Sequence, residues 1–227
     1  MEMSLDAWRE QIDRWGWLAG QPREQQLALL EAAQLRRIGD GQWAHGEGDE
    51  QTGVLAVLEG RLRLYAQAPG GREALVGVAG PGAAIGQSAV FGGGPRLVTA
   101  ISAGPSLILT FSDRALLRVA ERHPGLWRDL SQLIYRQLQF AIQAAAERGA
   151  LPLRAQLASR LLMLSRDGAV VAANQSDLAE LLGVSRKAVN GWLGELARTG
   201  AVKLGYGRIE IVNAQALERA AAAPEAD

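Results

Sequence analysis

Three side chains set close together within residues 174–193, Arg186, Lys187 and Asn190, are of the types that read duplex DNA. Arginine and asparagine present paired hydrogen-bonding groups that match purine edges in the major groove, and lysine neutralises phosphate. Ser185, just before them, is a helix-capping residue, which puts all three on the first turns of a helix, where a helix N-terminus meets a groove. Downstream, Lys203 and Arg208 flank Gly205-Tyr206-Gly207 between two short apolar runs, the pattern of a β-hairpin able to hold both cations on a sugar-phosphate backbone.

Such residues act only if neighbouring elements fix them in space. Asn174 with Asp177 three positions on predicts the cap of a preceding helix, Ala179 is small where a second helix must approach, and Gly183 supplies the turn. Val189, Trp192, Leu193 and Leu196 then form the inner side of the second helix, leaving the polar trio outward. The bland alternative is a helical hairpin with a solvated charged face, and Gly191, inside the second helix, keeps open a sensory or interaction module without DNA binding. Charge favours the first reading. The chain as a whole has 24 basic and 24 acidic residues, but residues 1–150 hold 15 basic against 16 acidic and residues 151–208 hold eight against four. Both lysines lie in that second stretch.

With 227 residues, of which 48% are hydrophobic and 21% charged, the chain has the make-up of an ordinary globular protein of one or two domains. The absence of cysteine excludes disulfides, a thiolate nucleophile and cysteine-held zinc or iron–sulfur clusters. His45 and His123 have no context for haem. Residues 39–44 match a dinucleotide fingerprint only as letters, since no helix follows, and no P-loop, nucleophile elbow or His-rich metal motif occurs. An enzyme is therefore not expected. No basic leader with an apolar run begins the chain and no apolar stretch approaches ~18 residues, so a cytoplasmic protein without membrane contact is expected.

Residues 5–34 predict helical pieces broken at Gly16, Gly20 and Pro22. Strand-length runs follow at 54–59, 61–67, 73–79, 97–102 and 107–111, separated by glycine-rich turns, which predicts an antiparallel roll or barrel. From 113 the pattern is helical throughout. Trp127, Leu130, Ile134, Leu138, Ala141 and Ala145 make a helix–helix seam, and Leu126, Leu133 and Phe140 make a second row, so one face is expected on the roll and one on a partner subunit. Pro152 interrupts this helix and sets the domain boundary, after which a further helix is expected to end near Asp167-Gly168.

These features together resemble the cyclic-AMP receptor protein/FNR family of bacterial transcription regulators over nearly the whole chain. Gly60-Arg61-Leu62, Gly80-Pro81-Gly82, Ile85-Gly86-Gln87-Ser88-Ala89 and Gly94-Pro95-Arg96 stand where the landmarks of that family's nucleotide-binding roll are expected. The resemblance implies an α+β fold: N-terminal helices and a cyclic-nucleotide-binding-like β-roll over 1–112, a dimerisation helix over 113–149, and a winged helix-turn-helix over 150–227. It implies a homodimer on a pseudo-palindromic DNA operator, contacted through Ser185, Arg186, Lys187, Asn190, Lys203 and Arg208, with RNA polymerase as a partner and residues 148–152 as the hinge.

It also implies an effector site at Gly86, Gln87, Ser88, Arg96, Leu97, Ala141 and Ile142. Here Gln87 stands for a glutamate that would accept from a ribose hydroxyl, Leu97 for a small residue, and Ala141 and Ile142 for an adenine-binding polar pair. Losing such bonds costs ~1–3 kcal/mol each, which predicts a site altered toward a different effector or none, and no certain cofactor. A cyclic-AMP-responsive regulator is the alternative. At the reading helix Lys187 replaces the family's usual glutamate, so the family operator is not expected to carry over unchanged.

Overall fold

The run Val54-Leu55-Ala56-Val57-Leu58 contains no polar residue, and strand β3 (Val54–Glu59) accordingly is buried on both faces. Val54, Ala56 and Leu58 join Leu107, Leu109 and Phe111 of β8 (Ser106–Phe111) beneath a helical layer. Leu55 and Val57 point the other way, into the interior of the roll with Ile108, Leu62, Ile85 and Ala100. One strand pair thus builds two cores by the simple alternation of its side chains.

The computed structural model describes residues 16–51, 53–165 and 170–222. They divide into two compact units: one runs to Gln137 without Ala74–Val78, and the other begins at Leu138 and includes Ala74–Val78. In the first, α1 (Gly16–Ala19) and α2 (Arg23–Ala32) precede β1 (Gln34–Ile38), β2 (Trp43–His45) and β3. Then come β4 (Leu62–Ala68), β5 (Arg72–Ala79), β6 (Ala84–Ile85), α3 (Gln87–Gly92), β7 (Thr99–Ser102) and β8. The strands form two four-stranded sheets, β1-β8-β3-β6 and β2-β7-β4-β5. Every pairing with an assigned register in the roll is antiparallel.

Helices α4 (Asp113–Arg122) and α5 (Leu126–Ala150) follow. The expected single helix from residue 113 is therefore two, because Pro124 has no N–H to continue the first and the chain turns through His123-Pro124-Gly125, with Leu126 N–H bonded to the His123 carbonyl at 3.0 Å. Leu126, Leu130 and Leu133 of α5 are buried with Leu116 and Val119 of α4. At full burial each large side chain contributes roughly 1.5–3 kcal/mol.

The second unit holds α6 (Leu153–Leu164), α7 (Gln175–Leu182), α8 (Arg186–Arg198), the hairpin β9 (Val202–Gly205) and β10 (Arg208–Ile211), and α9 (Ala214–Ala222). Leu157, Leu161, Leu178, Val189, Leu193, Val202, Ile209 and Leu217 are all buried. The short strands β1, β2 and β6 and helix α9 go beyond the sequence expectation; α9 is capped by the Asn213 side chain, which accepts from Ala216 N–H at 3.0 Å. The strand expected from 97 begins at Thr99. The helix end near Asp167-Gly168 and the helical pieces before residue 16 lie outside the described residues.

Candidate nucleic-acid interface and effector site

Helix α7 begins with a reciprocal capping box. The Asn174 side chain accepts from Ser176 N–H at 2.8 Å and Asp177 N–H at 2.9 Å, while the Asp177 carboxylate accepts from Asn174 N–H at 2.9 Å. It ends on Gly183, whose φ of +66° lies in the left-handed region that glycine enters at least cost. Ser185 Oγ then accepts from Ala188 N–H at 3.2 Å and starts α8. With both caps fixed, the phase of α8 follows from burial. Val189 and Leu193 are fully buried, Trp192 and Leu196 half-buried, and Ser185, Arg186, Lys187 and Asn190 lie exposed on the other side. All the residues expected to read DNA from this helix are on its free face.

Gly191 shares that exposed side, and a Cβ there would meet nothing within 4 Å, as would one at Gly194. Among the described residues no packing requires either glycine, although each costs a helix about 1 kcal/mol relative to alanine.

The hairpin closes through Tyr206 and Gly207, and Tyr206 is completely exposed at its tip. Lys203 pairs in register with Glu210, and Arg208 reaches the Glu210 carboxylate at 3.6 Å. The two wing cations therefore share a face with a carboxylate that sequence reading did not single out. The two-residue loop carries the signal for it, since it places 203 opposite 210. A second link missed by the sequence is the ion pair between Arg154 of α6 and Glu195 of α8.

In the roll, Arg96 has a defined and unexpected role. Its Nη1 donates to the Gly53 carbonyl at 2.6 Å and its Nε to the Gln51 carbonyl at 3.1 Å, while its backbone pairs with Gly48 and Asp49. Burial lowers its pKa, offset in part by the charges of Asp113 and Asp49. Gly86, at φ +94°, lets the guanidinium approach so closely that a Cβ would strike Nη1. Two of the five N–H donors of the guanidinium are thus committed to backbone carbonyls.

Gln87 is completely buried, and among the described residues neither atom of its amide has a hydrogen-bond partner. Ser88 is half-buried beside it, and Leu97 is 65% exposed. The segment is held to α5 at both ends: Gln137 Nε2 donates to the Ala84 carbonyl at 3.2 Å, and the rings of Phe91 and Trp127 meet edge to face with centroids 5.5 Å apart. The structure brings Gly86, Gln87, Ser88 and Arg96 together in the first unit. Ala141 and Ile142 are exposed on α5 within the second.

Residues 35–123 match the family model of the cyclic nucleotide-binding domain, and residues 155–220 that of the Crp-like helix-turn-helix domain. Over 202 residues the chain is 30% identical to the cyclic AMP receptor protein of Thermus thermophilus, covering 88% of this chain and 93% of that one. It is 28% identical over 212 residues to the nitrogen fixation regulation protein FixK of Bradyrhizobium diazoefficiens, covering 86% and 88%. The solved structure of FixK2 from Bradyrhizobium japonicum matches with a TM-score of 0.70 at 20% identity, over 86% of this chain and 98% of that one, a likeness of fold. A roll of the cyclic nucleotide-binding domain type and a Crp-like helix-turn-helix in one chain define a DNA-binding transcription regulator. The chain belongs to the Crp/Fnr family. Among the described residues no helix is long and apolar enough to cross a membrane.

Two outcomes test these geometries. Asn174→Ala removes the cap of α7 and is expected to lower unfolding free energy by about 1 kcal/mol, read as a lower midpoint in urea. His45, half-buried near Arg96, has its pKa lowered from 6.5 to about 4, by burial first and by the arginine's charge second. The folded state favours the neutral ring, so its stabilisation is present above pH 6.5 and is lost as pH falls toward 4. Across that window the Tm of the wild type should fall more steeply than that of His45→Gln; equal slopes would contradict the assignment.

Proposed function

We propose that the chain acts as a cytoplasmic homodimer on a pseudo-palindromic operator, with Arg186, Lys187 and Asn190 facing base edges and Ser185, Lys203 and Arg208 facing the backbone. The observation that carries this reading is the phase of α8, whose packed side is apolar and whose free side gathers the polar trio. Support for the dimer comes from α5, where the expected seam is corrected: its Trp127 and Leu130 pack in the core of the first unit, and the exposed row at seam spacing is Tyr135, Leu138, Ile142 and Ala145, the first three 64%, 54% and 61% exposed. Paired on such a seam, two copies present two recognition helices to sites one DNA turn apart, which is the reason for a palindrome. RNA polymerase is the partner that a transcription regulator of this family would meet.

The effector site is altered. Arg96 acts as a strut between the Gln51 and Gly53 carbonyls, and Gln87 offers a buried amide, two N–H donors and a carbonyl acceptor, where a nucleotide-binding member offers a carboxylate. With Leu97, Ala141 and Ile142, the Gln87 amide supports a polar effector other than cyclic AMP, or control by abundance alone. The Thermus thermophilus relative bears the name of a cyclic AMP receptor, and a cyclic-AMP-responsive regulator is the second reading.

On a duplex carrying a half-site selected by the wild type from a random pool, Arg186→Ala should cost ~1–3 kcal/mol and relax selectivity at one base pair. Lys203→Ala should weaken all sequences alike and reduce the salt slope by about one. Equal losses on every sequence for Arg186→Ala would overturn its assignment as a base reader. In calorimetry, cyclic AMP should give no binding heat at millimolar concentration; micromolar binding would favour the second reading.

A further inference from the structure

A buried polar cluster joins the last turns of α5 to α6, and the DNA contacts described above make no use of it. Glu147 of α5 and Arg160 and Ser159 of α6 are 7%, 5% and 5% exposed. Ser159 Oγ donates a short hydrogen bond to Glu147 Oε1. Gln143 Nε2 donates to the same oxygen at 2.8 Å and to Ser159 Oγ at 3.3 Å. The Arg160 guanidinium faces Glu147 Oε2 at 3.7 Å, lies 5.4 Å from the centre of the Phe140 ring, and reaches Met163 Sδ through Nη1 at 3.6 Å. Between these helices, the Leu151 N–H donates to the Glu147 carbonyl at 2.9 Å, and the buried Gln156 side chain donates to the Leu151 carbonyl at 2.9 Å.

Burying a carboxylate and a guanidinium is costly, and an apolar pair of similar volume often serves stability as well or better. Glu147 Oε1 accepts both hydrogen bonds, while Oε2 makes none among the described residues and has only the Arg160 charge beside it, so the geometry is set by Oε1, by the ion pair and by the Phe140 ring. Phe140, Gln143 and Glu147 span two turns of α5, so the contacts fix both the rotation and the tilt of α6 against it. On its other side α6 is tied to the recognition helix by Arg154–Glu195.

We propose that Glu147 and Arg160 are positioning residues that weld the C-terminal turns of α5 to α6, so that the direction of α5 sets the direction of the recognition helix. Motion about residues 148–152, the hinge implied by the family resemblance, is blocked. The helix pair that forms the dimer then fixes operator spacing without a flexible joint between. This last consequence rests on the dimeric operator reading above.

The test uses the full-length protein, Arg160→Met, which keeps volume and removes the charge, and Glu147→Gln/Arg160→Met, which also removes the uncompensated carboxylate should the single variant fail to fold. In hydrogen exchange, the wild-type amides of Leu151 and Gln156, bonded to the Glu147 and Pro152 carbonyls, should be as protected as those at 157–161. In the variants these two should exchange at least ~10-fold faster, with 175–198 unchanged. Fast wild-type exchange at Leu151 and Gln156, or unchanged exchange in a folded variant, overturns the weld. On duplexes carrying two selected half-sites, the wild type should bind ~100-fold or more tighter than to one half-site, and one added base pair of spacer should abolish that gain. The variants should bind one half-site normally and lose spacer discrimination. Retained discrimination, or loss of half-site binding as well, contradicts the proposal. A wild type with no gain from the second half-site refutes the dimeric operator reading instead, and the exchange result then decides the weld alone.

Discussion

The burial of Val189 and Leu193 is the constraint on which the candidate DNA-binding face depends. A helix that must keep these two side chains buried has no freedom to rotate, and Arg186, Lys187 and Asn190 are outward as a result. The caps at Asn174 and Ser185 make the same choice earlier in the chain, by fixing where α7 and α8 begin. Local signals and the core agree, as a sequence specifying one structure requires.

The roll obeys a different logic. Its two cores share β3 and β8, so the helical layer and the barrel interior are built from opposite faces of the same strands. Within it Arg96 donates to the Gln51 and Gly53 carbonyls, and Gly86 is required both by its left-handed backbone and by the guanidinium against it. An arginine can hold a loop as well as an anion, because its N–H groups donate to carbonyl oxygens and to phosphate oxygens alike.

Much of this was legible in the sequence, where a short-range rule governs. Capping residues, the turn at Gly183, the inner row of α8, the wing and the strand-length runs of the roll all depend on neighbours a few positions away. The break at Pro124 carried a signal that helical periodicity on both sides of it masks. The role of Arg96 was not legible, because its partners lie more than forty positions earlier. Nor was the buried Glu147–Arg160 pair, since both residues look like solvated charges on amphipathic helices until α5 and α6 are folded together. Glu210 stood between the two: hairpin register places it opposite Lys203, but only once the loop length is read as a turn.

The proposed function requires two outward α8 faces held by paired α5 helices. Hydroxyl-radical and methylation footprinting of the full-length protein on a selected duplex tests that requirement. Two protected major-groove segments are expected on one face of the duplex, with centres about 10–10.5 base pairs apart or a multiple of that, related by a two-fold axis. A single protected segment, or protection confined to the minor groove, would contradict it.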